Sequence, residues 1–195
     1  MFNGIIYKTG LIKYIKKESK FFLIGFKTNL KFKNKDVGSS VSCNGVCLTI
    51  FAIKKEVIFF YVSRESLSRS NLKFVKINDL INIEKSLIYG QEISGHYVQG
   101  HVDTTATVKK IAIKGQTWIG EFSIKDKRLY KYLVEKASIS VNGISLTISK
   151  IKSHSFEVNI IPHTLKLTNL KNLKIRDIVN IELDIFAKYI LKVSI

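Results

Sequence analysis

One ten-residue pattern of small polar and apolar side chains occurs twice in this chain. Residues 41–50 read VSCNGVCLTI, and residues 139–148 read ISVNGISLTI, 98 positions later. Six of the ten residues are identical. Because glycine tolerates a positive φ, the Asn-Gly pair in each copy predicts a turn or bulge just before a strand.

Small polar side chains follow each Asn-Gly pair at strand spacing. Since side chains on a strand alternate between faces, Cys47 and Thr49 share one face. Ser145 and Thr147 share the corresponding face in the second copy. Either pair alone is typical of ordinary barrel residues, but its recurrence beside the same turn favours a ligand-binding site. A thiol in one copy and a hydroxyl in the other indicate two pockets with different chemical roles.

Two histidines lie near the start of the second copy, in the segment SGHYVQGHVD. His96 and His101 invite a metal-site interpretation, but no acidic or cysteine cluster with ligand spacing accompanies them, so no metal is expected. His101 follows Gly100 and can be a turn residue or a general base. The matching residue of the first copy is Ile5, which is a second chemical difference between the copies.

The repetition extends over most of the chain and predicts two homologous modules. The matching blocks are ESLSRSNL with HTLKLTNL, INDLINIE with IRDIVNIE, and GIIYKTGLIKYI with GHVDTTATVKKI, at residues 65–72 with 163–170, 77–84 with 175–182, and 4–15 with 100–111. Together with the pattern at residues 41–50 and 139–148, these make four blocks in the same order, which chance explains poorly. We expect module boundaries at residues 1–95 and 96–184, followed by a tail at residues 185–195.

The pattern within each module is typical of an all-β barrel. Short runs of β-branched and aromatic residues, spaced about ten residues apart and separated by turn residues, favour a small closed barrel. Three segments look helical instead: residues 125–137, and shorter turns at Ser66–Ser70 and Thr164–Thr168. The tail forms a predicted amphipathic helix with Phe186, Ile190 and Val193 on one face, which packs on its own chain or on a partner.

The formal net charge of +17 raises the possibility of nucleic-acid binding. However, only four of the 32 basic residues are arginine, the side chain with the bidentate fork suited to phosphate, and the lysines are spread along the chain. We interpret the charge as a compositional bias towards Lys, Ile, Asn, Phe and Tyr, and expect no nucleic-acid partner.

The two cysteines, Cys43 and Cys47, are too close in sequence for an easy disulfide and too few for a zinc site. The N-terminus lacks the pattern of a secretory signal, and the longest apolar runs are too short to span a bilayer. We therefore expect a cytoplasmic protein with no membrane association.

Seven blocks together resemble the riboflavin synthase family, whose members carry a lumazine-binding repeat. They are MFNGII, NGVCLTI, ESLSRSNL, GHYVQGHVD, NGISLTI, IPHTLKLTNL and VNIELDIFAKY, and they cover nearly the whole chain in the family's order. The resemblance implies two six-stranded Greek-key β-barrels with a C-terminal α-helix. It also implies a homotrimer whose active site forms between the N-barrel of one subunit and the C-barrel of another, and raises lumazine synthase as a further partner.

The reaction implied by the resemblance is the transfer of a four-carbon unit between two molecules of 6,7-dimethyl-8-ribityllumazine. The products are riboflavin and 5-amino-6-ribitylamino-uracil, and no cofactor takes part. Each barrel would hold one lumazine, which explains why the pattern occurs twice. A non-catalytic lumazine- or flavin-binding protein of the same fold is the alternative.

The resemblance also implies which residues contact the ligands. In the first module they are Phe2, Gly4, Ile5, Ile6, Ser40, Cys47, Leu48, Thr49, Tyr61, Val62, Ser63, Arg64, Glu65 and Ser66. In the second they are Gly100, His101, Val102, Lys136, Ser145, Leu146, Thr147, Asn159, Ile160, Ile161, Pro162, His163 and Thr164.

Five residues are candidates for a catalytic role: Cys47, His101, Ser145, Thr147 and Asp184. We hypothesise that His101, close to Ser145 and Thr147, transfers protons in the pocket of the second module. Cys47 and Thr49 would bind and polarise the other lumazine in the pocket of the first module.

Overall fold

The computed structural model of the chain describes residues 1–18 and 21–193, and β-strands form most of its regular structure. The strands of the first half are β1 (Lys8–Lys17), β2 (Phe22–Thr28), β3 (Ser40–Cys43), β4 (Val46–Lys54), β5 (Val57–Val62) and β6 (Leu80–Lys85). Those of the second half are β7 (Thr104–Lys114), β8 (Thr117–Ile124), β9 (Ser138–Val141), β10 (Ile144–Ile151), β11 (Phe156–Ile160) and β12 (Ile178–Leu183).

The strands close into two antiparallel six-stranded barrels with equivalent topology. The order is β1-β2-β5-β4-β3-β6 in the N-barrel, and β10-β11-β8-β7-β12-β9 in the C-barrel. These barrels confirm the closed all-β barrels predicted from the strand pattern and the two six-stranded barrels implied by the family resemblance. Even the register irregularities recur, with bulges between Ile50 and Ala52 in β4 and between Ile148 and Lys150 in β10.

Each barrel closes around its own apolar core, as the strand alternation requires. In the N-barrel core the rings of Phe26 and Phe60 stack with centroids 5.1 Å apart. In the C-barrel core Phe122 and Phe156 stack at 5.6 Å. All four side chains are fully buried, and such aromatic pairs stabilise by roughly 0.5–1.5 kcal/mol beyond the burial of their area.

The helical elements are short. The α-helices among the described residues are α1 (Arg64–Arg69), α2 (Pro162–Leu167) and α3 (Ile185–Val193), and 3₁₀ turns lie at Asn34–Asp36, Asn71–Phe74, Lys127–Tyr132 and Asn169–Asn172. The first two helices lie where helical turns are predicted. The tail helix is also confirmed, although residues 194 and 195 lie outside the described part of the chain. The Lys188 ammonium, 3.0 Å from the Asp103 carboxylate, ties α3 to the C-barrel.

The prediction of a helix over residues 125–137 is wrong. Only a 3₁₀ turn forms there, and it ends before Leu133, whose side chain is buried in the C-barrel core. Lys136 then adopts a left-handed φ of 70°, which turns the chain into β9. Tertiary packing of the apolar residues over the barrel end therefore overrides the helical periodicity.

The repeated Asn-Gly turns meet at the junction of the two barrels. Gly45 and Gly143 both have φ of 79°, and a Cβ added to either one would lie 2.7 Å from the backbone nitrogen of the other. Only glycine allows this approach and this backbone conformation. The turns predicted from the sequence are therefore also the contact between the modules.

Asparagines from the repeated blocks form a two-fold symmetric network across this junction. The Asn82 amide donates to the Asn142 carbonyl at 2.9 Å, and the Asn180 amide donates to the Asn44 carbonyl at 2.8 Å. The side-chain oxygens of Asn82 and Asn180 also accept from backbone N–H groups of the opposite module, at 2.8 and 2.6 Å. The network comprises Asn44, Asn71, Asn82, Asn142, Asn169 and Asn180.

Buried amides are costly unless they are paired, so this network fixes one orientation of the two barrels. Sequence analysis missed this function of the asparagines. The available signal was that three Asn positions recur unchanged within the repeated blocks.

Among residues 1–18 and 21–193, no helix has the length and apolar character needed to cross a membrane.

Candidate functional site

The N-barrel carries a cleft of about 440 Å³ over strand β4. Cys47, Thr49 and Phe51 alternate along this strand, and all three line the cleft. Tyr61 of the neighbouring strand β5 also lines the cleft, and its ring contacts that of Phe51, with centroids 4.4 Å apart. Phe51 is 50% exposed and Tyr61 is 46% exposed, so both rings can contact a flat ligand.

Phe51 is a candidate site residue that the sequence prediction did not include. It occupies the bulge of β4, and bulges commonly re-aim a side chain next to a binding site. The signal in the sequence was the spacing of two between positions 47, 49 and 51, which puts the aromatic ring on the face of the two predicted polar residues.

The rim of the cleft is formed by the start of α1. The Ser63 hydroxyl accepts from the Ser66 backbone N–H at 3.0 Å and so caps this helix. Ser63 and Ser66 both line the cleft, as the predicted set requires. Glu65 instead forms an exposed ion pair with Arg69 on the helix surface.

Strand β10 and the start of α2 present the corresponding surface of the C-barrel. Ser145 is half-buried and Thr147 exposed, which matches Cys47 and Thr49. Asn159 on β11 takes the place of Tyr61. The other predicted residues with an exposed or half-buried side chain here are Lys136, Ile161, Pro162, His163 and Thr164.

Some predicted contact residues have side chains in the barrel cores. Leu48 and Val62 belong to the N-barrel core, and Leu146 and Ile160 belong to the C-barrel core. These four residues can offer only backbone atoms to a ligand, because alternation turns their side chains away from the neighbouring polar residues.

The modules exchange the segments that complete these surfaces. The Ser145 backbone N–H donates to the Gly4 carbonyl at 2.8 Å, and the Cys47 N–H donates to the Gly100 carbonyl at 2.8 Å. Ile6 is buried in the C-barrel core, whereas Val102 packs against the N-barrel core. A backbone segment of the other module therefore borders each candidate surface, at Cys47 in the N-barrel and at Ser145 in the C-barrel.

This exchange changes the predicted grouping of the site residues. Gly4, Ile5 and Ile6 lie with the C-barrel, although they precede the N-barrel in the chain. The segment of Gly100, His101 and Val102 lies with Cys47, so the expectation that His101 is grouped with Ser145 is replaced. The reason is that the repeat reveals equivalent positions but not which barrel each connecting segment crosses to.

Glycine is required at the point where each exchanged segment meets its barrel. Gly4 has φ of 74°, and a Cβ there would lie 2.7 Å from the Ser145 Cβ. Gly100 has φ of 80°, and its added Cβ would lie 2.6 Å from the Cys47 Cβ. The two glycines thus allow the backbone to approach Ser145 and Cys47, the hydroxyl and the thiol that occupy equivalent positions in the two modules.

Two buried carboxylates hold the exchanged segments in place. Glu84 accepts the backbone N–H groups of Asn3 and Gly4 at 2.7 and 3.0 Å. Glu182 accepts those of Gln99 and Gly100 at 2.7 and 2.9 Å. Both glutamates lie in the repeated NIE block, and sequence analysis assigned no function to them.

Burial raises the pKa of both carboxylates, because desolvation disfavours the charged form. The pKa of Glu84 rises to about 7, although hydrogen bonds from Asn3, Gly4 and Ile5 act in the opposite direction. The pKa of Glu182 is also raised by burial, against the hydrogen bonds of Gln99 and Gly100.

The remaining predicted residues lie around these surfaces. Phe2 is fully buried and forms a backbone bridge to Val98. Ser40 pairs with Thr49 across β3 and β4. Asp184 precedes α3, and its carboxylate accepts the Phe186 N–H at 2.9 Å. Within the described residues, no group of three or more His, Cys, Asp or Glu side chains is arranged to hold a metal ion.

The chain belongs to the lumazine binding domain family. The sequence model of that domain matches residues 3–86 and again residues 99–184, in agreement with the two modules.

Similar proteins of nearly the same length are named riboflavin synthase. The one from Actinobacillus pleuropneumoniae is 38% identical over 192 residues, covering 97% of this chain and 88% of the relative. The one from Buchnera aphidicola subsp. Schizaphis graminum is 37% identical, with 97% and 92% covered. That of Escherichia coli is 34% identical, with 94% and 87% covered.

Solved structures with the same fold include two complexes of LumP. The complex with riboflavin has a TM-score of 0.82 at 24% identity, covering 94% of this chain and 99% of LumP. The complex with 6,7-dimethyl-8-(1'-D-ribityl) lumazine has a TM-score of 0.81 at 23% identity, covering 93% and 98%. At this identity the similarity establishes the fold alone.

Proposed function

We propose that this protein is an enzyme that catalyses the riboflavin synthase reaction. Two molecules of 6,7-dimethyl-8-ribityllumazine are converted into riboflavin and 5-amino-6-ribitylamino-uracil by transfer of a four-carbon unit. The observation that carries this proposal is the sequence identity of 34–38% to riboflavin synthases over nearly the whole chain. The two chemically different pocket surfaces support it further, because a reaction between two identical molecules requires different roles for them.

Two features of the reaction determine what the side chains have to do. The lumazine ring is electron-poor, so its 7-methyl group is unusually acidic. One of the two lumazine molecules must lose a proton from this methyl group to become a nucleophile. Proton transfer by a positioned group contributes on the order of 10²–10⁴-fold in rate. Holding the two reacting rings together removes a large entropic barrier.

In the N-barrel pocket, Cys47, Thr49 and His101 are the candidates for polarising one lumazine. The backbone bond between Cys47 and Gly100 brings the His101 segment to this pocket. Phe51 and Tyr61 offer aromatic surface against which a lumazine ring can lie. In the C-barrel pocket, Ser145 and Thr147 are the corresponding polar candidates.

The proposed assembly is a homotrimer in which the N-barrel of one subunit faces the C-barrel of another. Helix α3 supports it with a largely exposed apolar surface, in which Phe186 is 58% and Tyr189 66% exposed. Deletion of residues 186–195 is expected to weaken association and to make activity depend on protein concentration. A truncated chain that sediments as a monomer and keeps full turnover would contradict this assembly.

The predicted boundaries at residues 1–95, 96–184 and 185–195 are retained as a proposal, with residues 4–6 and 100–102 exchanged between the first two. Location in the cytoplasm, inferred from the cysteines and the N-terminal sequence, and association with lumazine synthase, raised by the family resemblance, belong to the same proposal.

The test of the proposed function is direct. The purified protein, treated with a chelator and dialysed, is incubated with 6,7-dimethyl-8-ribityllumazine alone, and flavin absorbance is followed with time. We expect riboflavin to form with one molecule for every two lumazines consumed.

The second candidate function is a non-catalytic lumazine- or flavin-binding protein, favoured by the shared fold with LumP. Tight lumazine binding without any riboflavin formation, at protein concentrations that saturate assembly, would replace the enzyme proposal with this one.

A further inference from the structure

Ser145 forms a side-chain hydrogen bond with a histidine from the connection between the barrels. His96 Nδ1 lies 2.7 Å from Ser145 Oγ, a distance typical of a strong hydrogen bond to a hydroxyl. Sequence analysis grouped Ser145 with His101, but the imidazole at this hydroxyl belongs to His96.

The backbone around His96 is held against the exchanged N-terminal segment. The Gly95 N–H donates to the Asn3 side-chain oxygen at 2.9 Å, and the His96 N–H donates to the Asn3 carbonyl at 3.3 Å. Asn3 itself donates its backbone N–H to the buried Glu84 carboxylate. A side chain at position 95 would collide with the Asn3 carbonyl oxygen, 2.0 Å from an added Cβ. The imidazole is thus attached to a segment with a fixed backbone.

The protonation state of His96 determines which way the Ser145 hydroxyl points. Burial lowers the pKa of His96, while the negative charge of Asp184 acts in the opposite direction. Its hydrogen-bond partners, the Ser145 hydroxyl and the Asn3 carbonyl, are uncharged. A neutral imidazole can accept the Ser145 O–H at Nδ1, which leaves the two lone pairs of the hydroxyl oxygen for a ligand. A protonated imidazole has to donate at Nδ1 and turns the O–H outward.

The equivalent position of the N-barrel is built differently. The Cys47 backbone N–H donates to the Gly100 carbonyl, just as the Ser145 N–H donates to the Gly4 carbonyl. Among the described residues, however, no side chain forms a hydrogen bond with the Cys47 thiol. A hydroxyl, which is the stronger hydrogen-bonding group, therefore stands where an imidazole forms a hydrogen bond with it, and a thiol stands where none of the described side chains does so.

We propose that His96 is a positioning residue for the lumazine reaction, which acts by orienting the Ser145 hydroxyl in the C-barrel pocket. This inference rests on the proposed function and adds to it a residue outside the predicted site. The orientation places the oxygen lone pairs of Ser145 towards the bound lumazine, where they can accept a hydrogen bond from it.

The first experiment compares turnover and lumazine affinity in single variants. In His96→Leu we expect kcat to fall about tenfold or more while the KM for lumazine changes less than about twofold, since the contact acts through Ser145 and not on ring binding. In His96→Asn, whose amide oxygen can take the place of Nδ1, part of this loss should be recovered. The matched control is His154→Gln, because His154 is exposed on the turn between β10 and β11.

A double-mutant cycle separates positioning from a general loss of structure. If His96 acts through Ser145, then His96→Leu should cause no further loss of kcat in a Ser145→Ala background. Equal and additive losses in the two backgrounds would overturn the proposal, as would full kcat in His96→Leu.

The pH dependence gives an independent measurement. The acid limb of kcat/KM should be governed by a group titrating below the ordinary histidine range, and it should disappear in His96→Asn. An unchanged acid limb in this variant would contradict the proposal. If the unaltered protein forms no riboflavin, the proposed function itself fails, whereas an active protein that is insensitive to His96 removes only this inference.

Discussion

The two candidate pockets have the same backbone frame but present different surfaces to a ligand. At the bulge of the central strand the N-barrel has Phe51, and 98 positions later the C-barrel has Ser149. On the neighbouring strand, Tyr61 of the N-barrel corresponds to Asn159 of the C-barrel. The N-barrel pocket is thus aromatic and the C-barrel pocket is polar, although both are built on the same strands.

The framework that holds the pockets is conserved between the modules. Each exchanged segment reaches its barrel through a left-handed glycine, Gly4 or Gly100, and is held by a buried glutamate, Glu84 or Glu182. The comparison teaches that the duplication preserves positions that set backbone geometry and varies positions that face a ligand. An enzyme that transfers a group between two identical molecules needs this division, because it must bind both molecules and give each one a different chemical role.

The largest expected effect concerns the shared framework. Asn82→Ala and Asn180→Ala each remove a side chain that makes three hydrogen bonds across the junction and leave the partner groups buried. At about 1 kcal/mol or more for each bond, both variants should lose about 3 kcal/mol of unfolding free energy. Urea unfolding measures this loss, with the exposed Asn172→Ala as the control. Unequal losses of unfolding free energy in the two variants would show that the two halves of the network do not contribute equally to stability.

The pH dependence of stability tests the buried carboxylates. Because the pKa of Glu84 is about 7 in the folded chain and 4.5 ordinarily, the folded state binds more protons between these pH values. The stability contributed by this group is therefore complete below about pH 4.5 and is lost as the pH rises through 7, by at most about 3 kcal/mol.

Glu84→Gln should flatten this dependence, although it also loses one of the two backbone hydrogen bonds because an amide offers a single acceptor oxygen. The measurement is the urea midpoint at pH 5 and pH 8, with Glu135→Gln, an exposed carboxylate, as the control. Parallel midpoint shifts in the unaltered chain and in Glu84→Gln would show that Glu84 stays ionised throughout.

Turnover tests the polar groups of the N-barrel pocket. Cys47→Ser and His101→Gln should each bind lumazine normally while turnover falls by more than about tenfold. Since the Gly100 segment lies beside Cys47, we also expect the two effects to be non-additive in the double variant. Near-normal turnover in both single variants would reduce these side chains to binding contacts and assign catalysis to positioning by the pocket.

The smallest expected effect tests whether the aromatic rings of the N-barrel pocket contribute to lumazine binding. Phe51→Ser introduces the C-barrel residue into the N-barrel pocket and removes one ring from the pair with Tyr61. Aromatic contacts of this kind contribute about 1 kcal/mol, so lumazine affinity should fall roughly five-fold. Fluorescence titration measures it, with Phe74→Ser, which changes an exposed phenylalanine outside the cleft, as the matched control. An unchanged affinity would mean that the rings do not contact the ligand.

Much of the fold follows from the sequence alone, because it depends on local patterns. The alternation of apolar residues determined the strands, the repeat determined that there are two barrels, and the Asn-Gly pairs determined where the turns lie. The alternation also put Cys47 with Thr49 and Ser145 with Thr147. These features need only short-range geometry, which is the same wherever the segment lies in the fold.

Only the tertiary structure decided which segments complete each pocket. The contacts of Gly4 with Ser145, Gly100 with Cys47 and His96 with Ser145 join residues about 50 or more positions apart. Spacing along the chain carries no information about such contacts, because a connecting segment can cross to either barrel. The crossing is set by burial of Ile6 in the C-barrel core, by packing of Val102 against the N-barrel core, and by the buried asparagines and glutamates that must find partners there.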